Sequence, residues 1–155
     1  MSEAKILSGK DTADSVYLDL NDRIISLTNK GIRPGLCVVL IGEDTASQIY
    51  VRTKTKKLRS LGLLSDSKFL PADVNEEEVI KLIYDLNNDT KYHGILVQFP
   101  LPDHIKTQKI INSISPQKDI DGFHPENVGW LSIGQPRFIP CTPKGIMRIL
   151  DHYNI

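Results

Sequence analysis

Leu36-Cys37-Val38-Val39-Leu40-Ile41-Gly42-Glu43-Asp44-Thr45 decides the fold, because six apolar residues in a row run into a glycine, an acidic turn and a helix cap. An unbroken apolar run this short reads as a strand buried on both faces. Gly42-Glu43-Asp44 turns the chain, and Asp44 or Thr45 caps the helix that follows. That helix contains Ala46-Ser47-Gln48-Ile49-Tyr50-Val51-Arg52-Thr53-Lys54-Thr55-Lys56-Lys57 and stops at Gly62. Residues four apart on a helix lie one above the other, so Tyr50 and Lys54 project from the same face. An aromatic ring and an ammonium so placed can grip a flat heterocycle and move a proton.

Outward from this unit the same alternation recurs. Toward the amino terminus, Asp11 can cap a helix whose apolar positions Val16, Leu20, Ile24 and Leu27 keep helical spacing, and Gly31 then Pro34 end it. Toward the carboxyl terminus, Ser67-Lys68-Phe69-Leu70 is a weaker strand closed by Pro71. Asn75 with Glu78 then suggests a capping box, Val74 with Val79 a hydrophobic staple, and Val79, Leu82, Ile83 and Leu86 an apolar stripe. Gly94-Ile95-Leu96-Val97 reads as a third buried strand, and the prolines of Gln98-Phe99-Pro100-Leu101-Pro102 open it into a loop. A short helix from Ile105 to Ile114 precedes a loop-rich stretch through Gly122, and a last helix opens with Thr142 as cap and Pro143 as first residue. Repeated strand–helix–strand units imply right-handed crossovers. The expected fold is therefore α/β: three layers, a mostly parallel sheet with helices on both faces. In such sheets ligands bind beyond the carboxyl ends of the strands, where Gly42–Thr45 and Gln98–Pro102 fall.

Composition narrows the classes of function. The 155 residues are 40% hydrophobic and 25% charged, which suits one globular domain with a real core. Nineteen basic residues balance nineteen acidic ones, so no global field draws the protein to nucleic acid or to an anionic membrane. Met1-Ser2-Glu3-Ala4-Lys5 lacks an apolar signal core, and no run approaches the ~20 apolar residues of a membrane span. Cys37 and Cys141 have no metal-ligand or CxxC spacing, which fits reduced thiols and a cytoplasmic setting, an organelle matrix being the alternative. G-x-G-x-x-G, Walker, H-E-x-x-H and G-x-S-x-G patterns are all missing from the sequence. His93, His104, His124 and His152 read as surface or loop residues, with some reserve for His124 beside an acidic loop.

By spacing alone, Tyr50 and Lys54 read first as a solvated helix face with its aromatic half buried. Arg52, Lys56 and Lys57 crowd the same two turns, and neighbouring cations favour the neutral amine that a general base needs. The same crowd reads equally well as plain helix-surface charge.

Four ordered blocks add a second argument. Ile41 to Val51 with Lys54 and Lys56, Gly94 to Pro102, Pro116-Gln117-Lys118-Asp119-Ile120-Asp121-Gly122, and Pro140-Cys141-Thr142-Pro143-Lys144-Gly145 together resemble the signatures of the bifunctional methylenetetrahydrofolate dehydrogenase/methenyltetrahydrofolate cyclohydrolase family. The resemblance spans the chain from about Gly9 to Gly145 and into the last helix. It implies a tetrahydrofolate substrate and one-carbon folate metabolism, which feeds purine biosynthesis. Carried over residue by residue, it makes Lys54 the cyclohydrolase lysine and Gln98 the residue that hydrogen-bonds it. Tyr50 stacks on the pterin and aminobenzoyl region, and Asp121 accepts from the pterin's ring N–H and amino group.

The resemblance also sets expectations about organisation. It implies a folate-binding catalytic domain over residues 1–141, with 142–155 leading toward a second, Rossmann-type domain that binds NADP or NAD; this chain stops before that domain. A homodimer is implied for the full enzyme. Cys141 reads as a buried small residue rather than a nucleophile, Asp119 as a loop-orienting group, Lys118 and Lys56 as surface charges, and Gly122 and Gly145 as backbone devices. The apolar residues of the last helix, Ile146, Met147, Ile149 and Leu150, are expected to be partly exposed. A non-catalytic folate-binding or assembly domain is the alternative, with the substrate domain of a shikimate-type or amino-acid-type dehydrogenase ranking third.

Overall fold

A computed structural model describes residues 4–155, so the stretch Met1–Glu3 read for a targeting signal lies outside the described residues. Strand β1 (Gly35–Ile41) forms the centre of a three-stranded sheet, with β2 (Leu64–Leu70) on one side and β3 (Gly94–Val97) on the other. Both pairings are parallel, running from Gly35↔Leu64 to Ile41↔Leu70 and from Leu36↔Gly94 to Val39↔Val97. The apolar run of β1 is buried because it has a helical layer on each side. Cys37, Val39 and Ile41 join Ile95 and Val97 beneath α3 (Glu76–Asn88) and α4 (Thr107–Ser113). The alternate residues Val38, Leu40 and Leu96 pack on Val51 of α2 (Thr45–Ser60). Period-two alternation within a strand thus feeds two cores, as the continuous apolar pattern requires. Gly35 has no room for a side chain, since a Cβ there would run into the Lys91 carbonyl.

Around this centre lie α1 (Gly9–Asn29), α5 (Pro125–Ser132) and α6 (Cys141–His152), with α6 resting on α1. No helix among the described residues is long and apolar enough to cross a membrane.

Several expected boundaries move. Ser8, not Asp11, caps α1: its hydroxyl accepts from the Asp11 N–H at 3.2 Å. β2 starts at Leu64, three residues early, because Ser65, Asp66 and Ser67 interrupt the apolar pattern that would mark the strand. Asn75 occupies the cap of α3 but its side chain makes no cap bond, and the Glu78 N–H donates to the Asn75 carbonyl at 3.1 Å, so the capping box does not form. The staple does form, with Val74 and Val79 buried in one cluster. α6 begins at Cys141 with Pro140 as cap, which places Thr142 and Pro143 inside its first turn. Proline is tolerated there because the first N–H groups of a helix have no intrahelical partner. α5 lies between Gly122 and Thr142, where no element is expected, yet its start carries the familiar signal of a proline at the first helical position, Pro125.

Candidate functional site

The carboxyl end of β1 builds the first half of the site. Asp44 Oδ2 accepts from the Ser47 N–H at 2.7 Å, which fixes where α2 starts and therefore which way Tyr50 and Lys54 point. Beyond β3, the Gln98 N–H still donates to the Val39 carbonyl at 2.8 Å, so the residue is held at the sheet end although the strand is over. Its side chain is committed at both ends. Nε2 donates to the Phe99 carbonyl at 2.9 Å, and Oε1 accepts from Lys54 Nζ at 3.2 Å.

Asp121 arrives on a loop stitched to the same sheet. The Ile95 N–H donates to the Lys118 carbonyl at 2.8 Å, and Ile95 and Asp119 form an isolated parallel bridge. Asp119 is buried, and its Oδ2 accepts from the His124 N–H at 2.8 Å and from Asn127 Nδ2 at 2.9 Å. Asn127 is fully buried; it also donates to the Pro116 carbonyl at 2.8 Å and accepts from Arg137 Nη1 at 3.1 Å. The loop closes at Gly122, whose φ of +71° only glycine adopts readily. Asp119 therefore orients the loop, as expected. Asn127 and Arg137, which sequence reasoning missed, lock it.

Together these elements surround a cavity of about 470 Å³ lined by Tyr50, Lys54, Gln98, Asp121, Phe123 and the first turn of α6. All four residues expected at the site therefore meet in one place. Tyr50 is 64% exposed, so its ring is free to stack on a ligand. Burial pushes the Asp121 carboxyl above the usual carboxylate range; the Lys54 charge pulls it down and Asp119 pushes it up. A second, more apolar cavity beneath α1 also reaches Lys54, Asp121 and Cys141.

Other expectations change. Cys141 is exposed, not buried, because it sits at the open first turn of α6. Lys118 is no surface charge: Nζ donates to the carbonyls of Leu86 at 3.0 Å and Asp89 at 2.9 Å, closing the end of α3, and burial lowers its pKa. Gly145 has open space around its would-be Cβ, so nothing near it demands glycine. The cations of α2 diverge rather than crowd. Arg52 and Lys56 line a different cavity, and Lys57 lies over the Tyr17 ring at 3.5 Å. In α6, Ile146 and Met147 are more than half exposed, while Ile149 and Leu150 are partly covered.

Three of the four histidines are occupied structurally. His93 Nδ1 accepts from the Gly35 N–H, His104 Nε2 meets the Val74 carbonyl, and His124 caps α5 by accepting from the Glu126 N–H. No group of three potential ligands among the described residues suits a metal ion. Strands β1 and β3 are followed by Gly42-Glu43-Asp44 and Gln98-Phe99-Pro100, not by a glycine-rich turn opening a helix.

The family model described as tetrahydrofolate dehydrogenase/cyclohydrolase, catalytic domain, matches residues 7–121. A protein from Geotalea daltonii named bifunctional protein FolD is 52% identical over 152 residues, covering 98% of this chain and 54% of that protein. One of the same name from Enterococcus faecalis is 45% identical over 150 residues, covering 97% and 53%. Among solved structures, the bifunctional methylenetetrahydrofolate dehydrogenase/cyclohydrolase of Campylobacter jejuni superposes with a TM-score of 0.94 at 43% identity, over 97% of this chain and 54% of that one. The Trypanosoma brucei enzyme, solved with NADP cofactor and an inhibitor, gives 0.95 at 35% identity, over 100% and 54%. The chain spans about half the length of the curated relatives it matches.

Proposed function

From the premise that this chain belongs to the tetrahydrofolate dehydrogenase/cyclohydrolase catalytic-domain family, we propose that it forms the folate site of a bifunctional enzyme of one-carbon metabolism and carries its cyclohydrolase residues. The observation that supports this best is the Lys54 Nζ to Gln98 Oε1 bond at the carboxyl end of the sheet, with Asp121 close enough to feel the lysine's charge. The substrate is 5,10-methenyltetrahydrofolate, whose bridge carbon is cationic and electrophilic. Lys54 as the amine takes a proton from water while the water oxygen bonds that carbon. The resulting ammonium returns that proton to N5 as the carbon–N5 bond breaks, and the adduct's hydroxyl releases the second water proton to solvent as the formyl C=O forms, leaving the 10-formyl product. Lysine can serve in both directions; a permanently charged arginine cannot.

Gln98 points Lys54 at the water, Tyr50 stacks on the flat pterin and aminobenzoyl region, and Asp121 accepts from the pterin's ring N–H and amino group. NADP, or NAD, supplies hydride acceptance in the dehydrogenase reaction. The residues described here hold the folate for that step, and the dinucleotide falls to the part of the enzyme that the longer relatives carry beyond the region matched here. Residues 1–141 make up the catalytic unit and α6 leads toward that half, in a cytoplasmic homodimer. A purely non-catalytic binding domain leaves the Lys54–Gln98 bond without a purpose. The test is the loss of methenyltetrahydrofolate absorbance in the complete enzyme with Lys54 intact and with Lys54→Met. Abolished turnover with folate binding retained is expected; undiminished turnover refutes the assignment.

A further inference from the structure

The face of α2 opposite Lys54 borders a third cavity, of about 820 Å³, that wraps the outer edge of β2. β2 is an edge strand, since the sheet order is β2-β1-β3. The Leu64 N–H donates to the Pro34 carbonyl and the Leu70 carbonyl accepts from Gly42, so the even-numbered residues bond β1. In a parallel strand the alternate residues then turn both N–H and C=O outward: Ser65, Ser67 and Phe69. Arg59 already covers Ser65, donating Nε at 3.1 Å and Nη2 at 2.9 Å to its carbonyl. Ser67 and Phe69 leave an open run of donors and acceptors, with the Phe69 ring 58% exposed beside it.

Charge around this edge is one-sided. Arg52, Lys56, Arg59, Lys68 and Lys91 line the cavity against a single carboxylate, Asp66, in a chain whose net charge is zero. Asp66 is already engaged by the Tyr92 hydroxyl and lies 3.7 Å from Lys91. Among the described residues, Arg52, Lys56 and Lys68 have no ion-pair partner. A lysine on an edge strand is a common guard against strand-to-strand aggregation, which accounts for Lys68. It does not account for Arg52 and Lys56, which come from a helix and converge on the same edge.

We propose that the free edge of β2 is a docking site for an extended acidic segment of a partner protein, which adds as a further strand on Ser67 and Phe69 while its carboxylates meet Arg52, Lys56 and Lys68. A strand-forming peptide fits better than a small anion, because only a backbone satisfies both the outward N–H and the outward C=O groups. The uncovered part of β2, Asp66–Leu70, offers a seat about 17 Å long at ~3.3 Å per residue. This surface is independent of the folate reading.

The test uses the 155-residue chain with a fluorescent eight-residue peptide alternating glutamate and threonine, followed by anisotropy, and with amide exchange monitored by NMR. Saturable binding is expected in about 50 mM salt, weakening at least about tenfold in the Lys56→Glu/Lys68→Glu variant and on raising salt to about 500 mM. The Ser67 and Phe69 amides are expected to gain at least about tenfold protection. No binding, or binding that survives charge reversal, overturns the proposal. So does binding that inorganic polyphosphate abolishes while the two amides stay unprotected, which makes the groove a plain anion patch.

Discussion

Replacing Asn127 by leucine tests the lock on the Asp121 loop. Asn127 is fully buried and makes three hydrogen bonds, to Pro116, Asp119 and Arg137. Leucine matches its shape without leaving a cavity, so the cost is nearly all hydrogen bonding. The bond to the Asp119 carboxylate is charge-assisted and worth about 1.5–3 kcal/mol, and the part-buried Pro116 carbonyl left without its donor costs about 1–2 kcal/mol. Arg137 is partly exposed and keeps Glu126 at 2.8 Å, so its share is small. Burying a larger apolar side chain returns a fraction of the total. The expected loss is about 3–4 kcal/mol, or roughly 6–16 °C in Tm at ~2–4 °C per kcal/mol for a chain of this size. Urea unfolding followed by far-UV circular dichroism gives the number directly. A double-mutant cycle with Asp119→Asn isolates the pairwise part, because Asn127→Leu should cost less once the carboxylate is gone. A loss below about 1 kcal/mol, or full additivity in the cycle, refutes the account of the loop as held by this network.

Two further outcomes follow from the site. Because burial raises the Asp121 carboxyl, the folded chain binds that proton more tightly than the unfolded chain, so this group costs stability as pH rises from its ordinary value of 3.8 through its raised one. Asp121→Asn should therefore raise the urea midpoint at pH 7 while folate binding is lost, and the gain should vanish at acid pH; a gain equal at all pH values contradicts it. The thiols should also separate: burial pushes Cys37 up to about 11, whereas Cys141 is exposed. Iodoacetamide at neutral pH should leave one adduct by intact mass, on Cys141, and two only in denaturant; modification of native Cys37 contradicts the placement.

Much of the fold is legible because its decisive signals are local. The run Leu36–Ile41, the cap at Asp44 with the stop at Gly62, and the stripe of α3 each state their own structure. What escapes reading is set by distant partners. β2 begins at Leu64 only because β1 pairs with it from Gly35, while the run Ser65-Asp66-Ser67-Lys68 carries no apolar pattern of its own. Asn75 looks like a capping residue, yet its side chain makes no cap bond. Lys118 reads as surface charge because nothing in its neighbourhood of sequence says that the end of α3, some thirty residues earlier, leaves two carbonyls in its reach. The site follows the same division. Tyr50 and Lys54 are fixed by helical spacing, whereas Asn127 and Arg137 matter only once the loop has folded back on them.

Helix geometry also explains why α2 can serve two surfaces. Successive residues turn by about 100°, so Arg52 and Lys56 each lie about 160° from Lys54 around the axis. Counting cations along the sequence groups all of them; placing them on the helix separates them. Lys54 therefore owes its setting to Gln98 and Asp121, reached from β3 and the following loop, rather than to its neighbours in the chain. The cations on the opposite face sit over the edge of β2. A substitution at Arg52 or Lys56 should accordingly leave the Lys54–Gln98 bond in place and change only what meets the sheet edge, so the two surfaces of α2 can be tested one at a time.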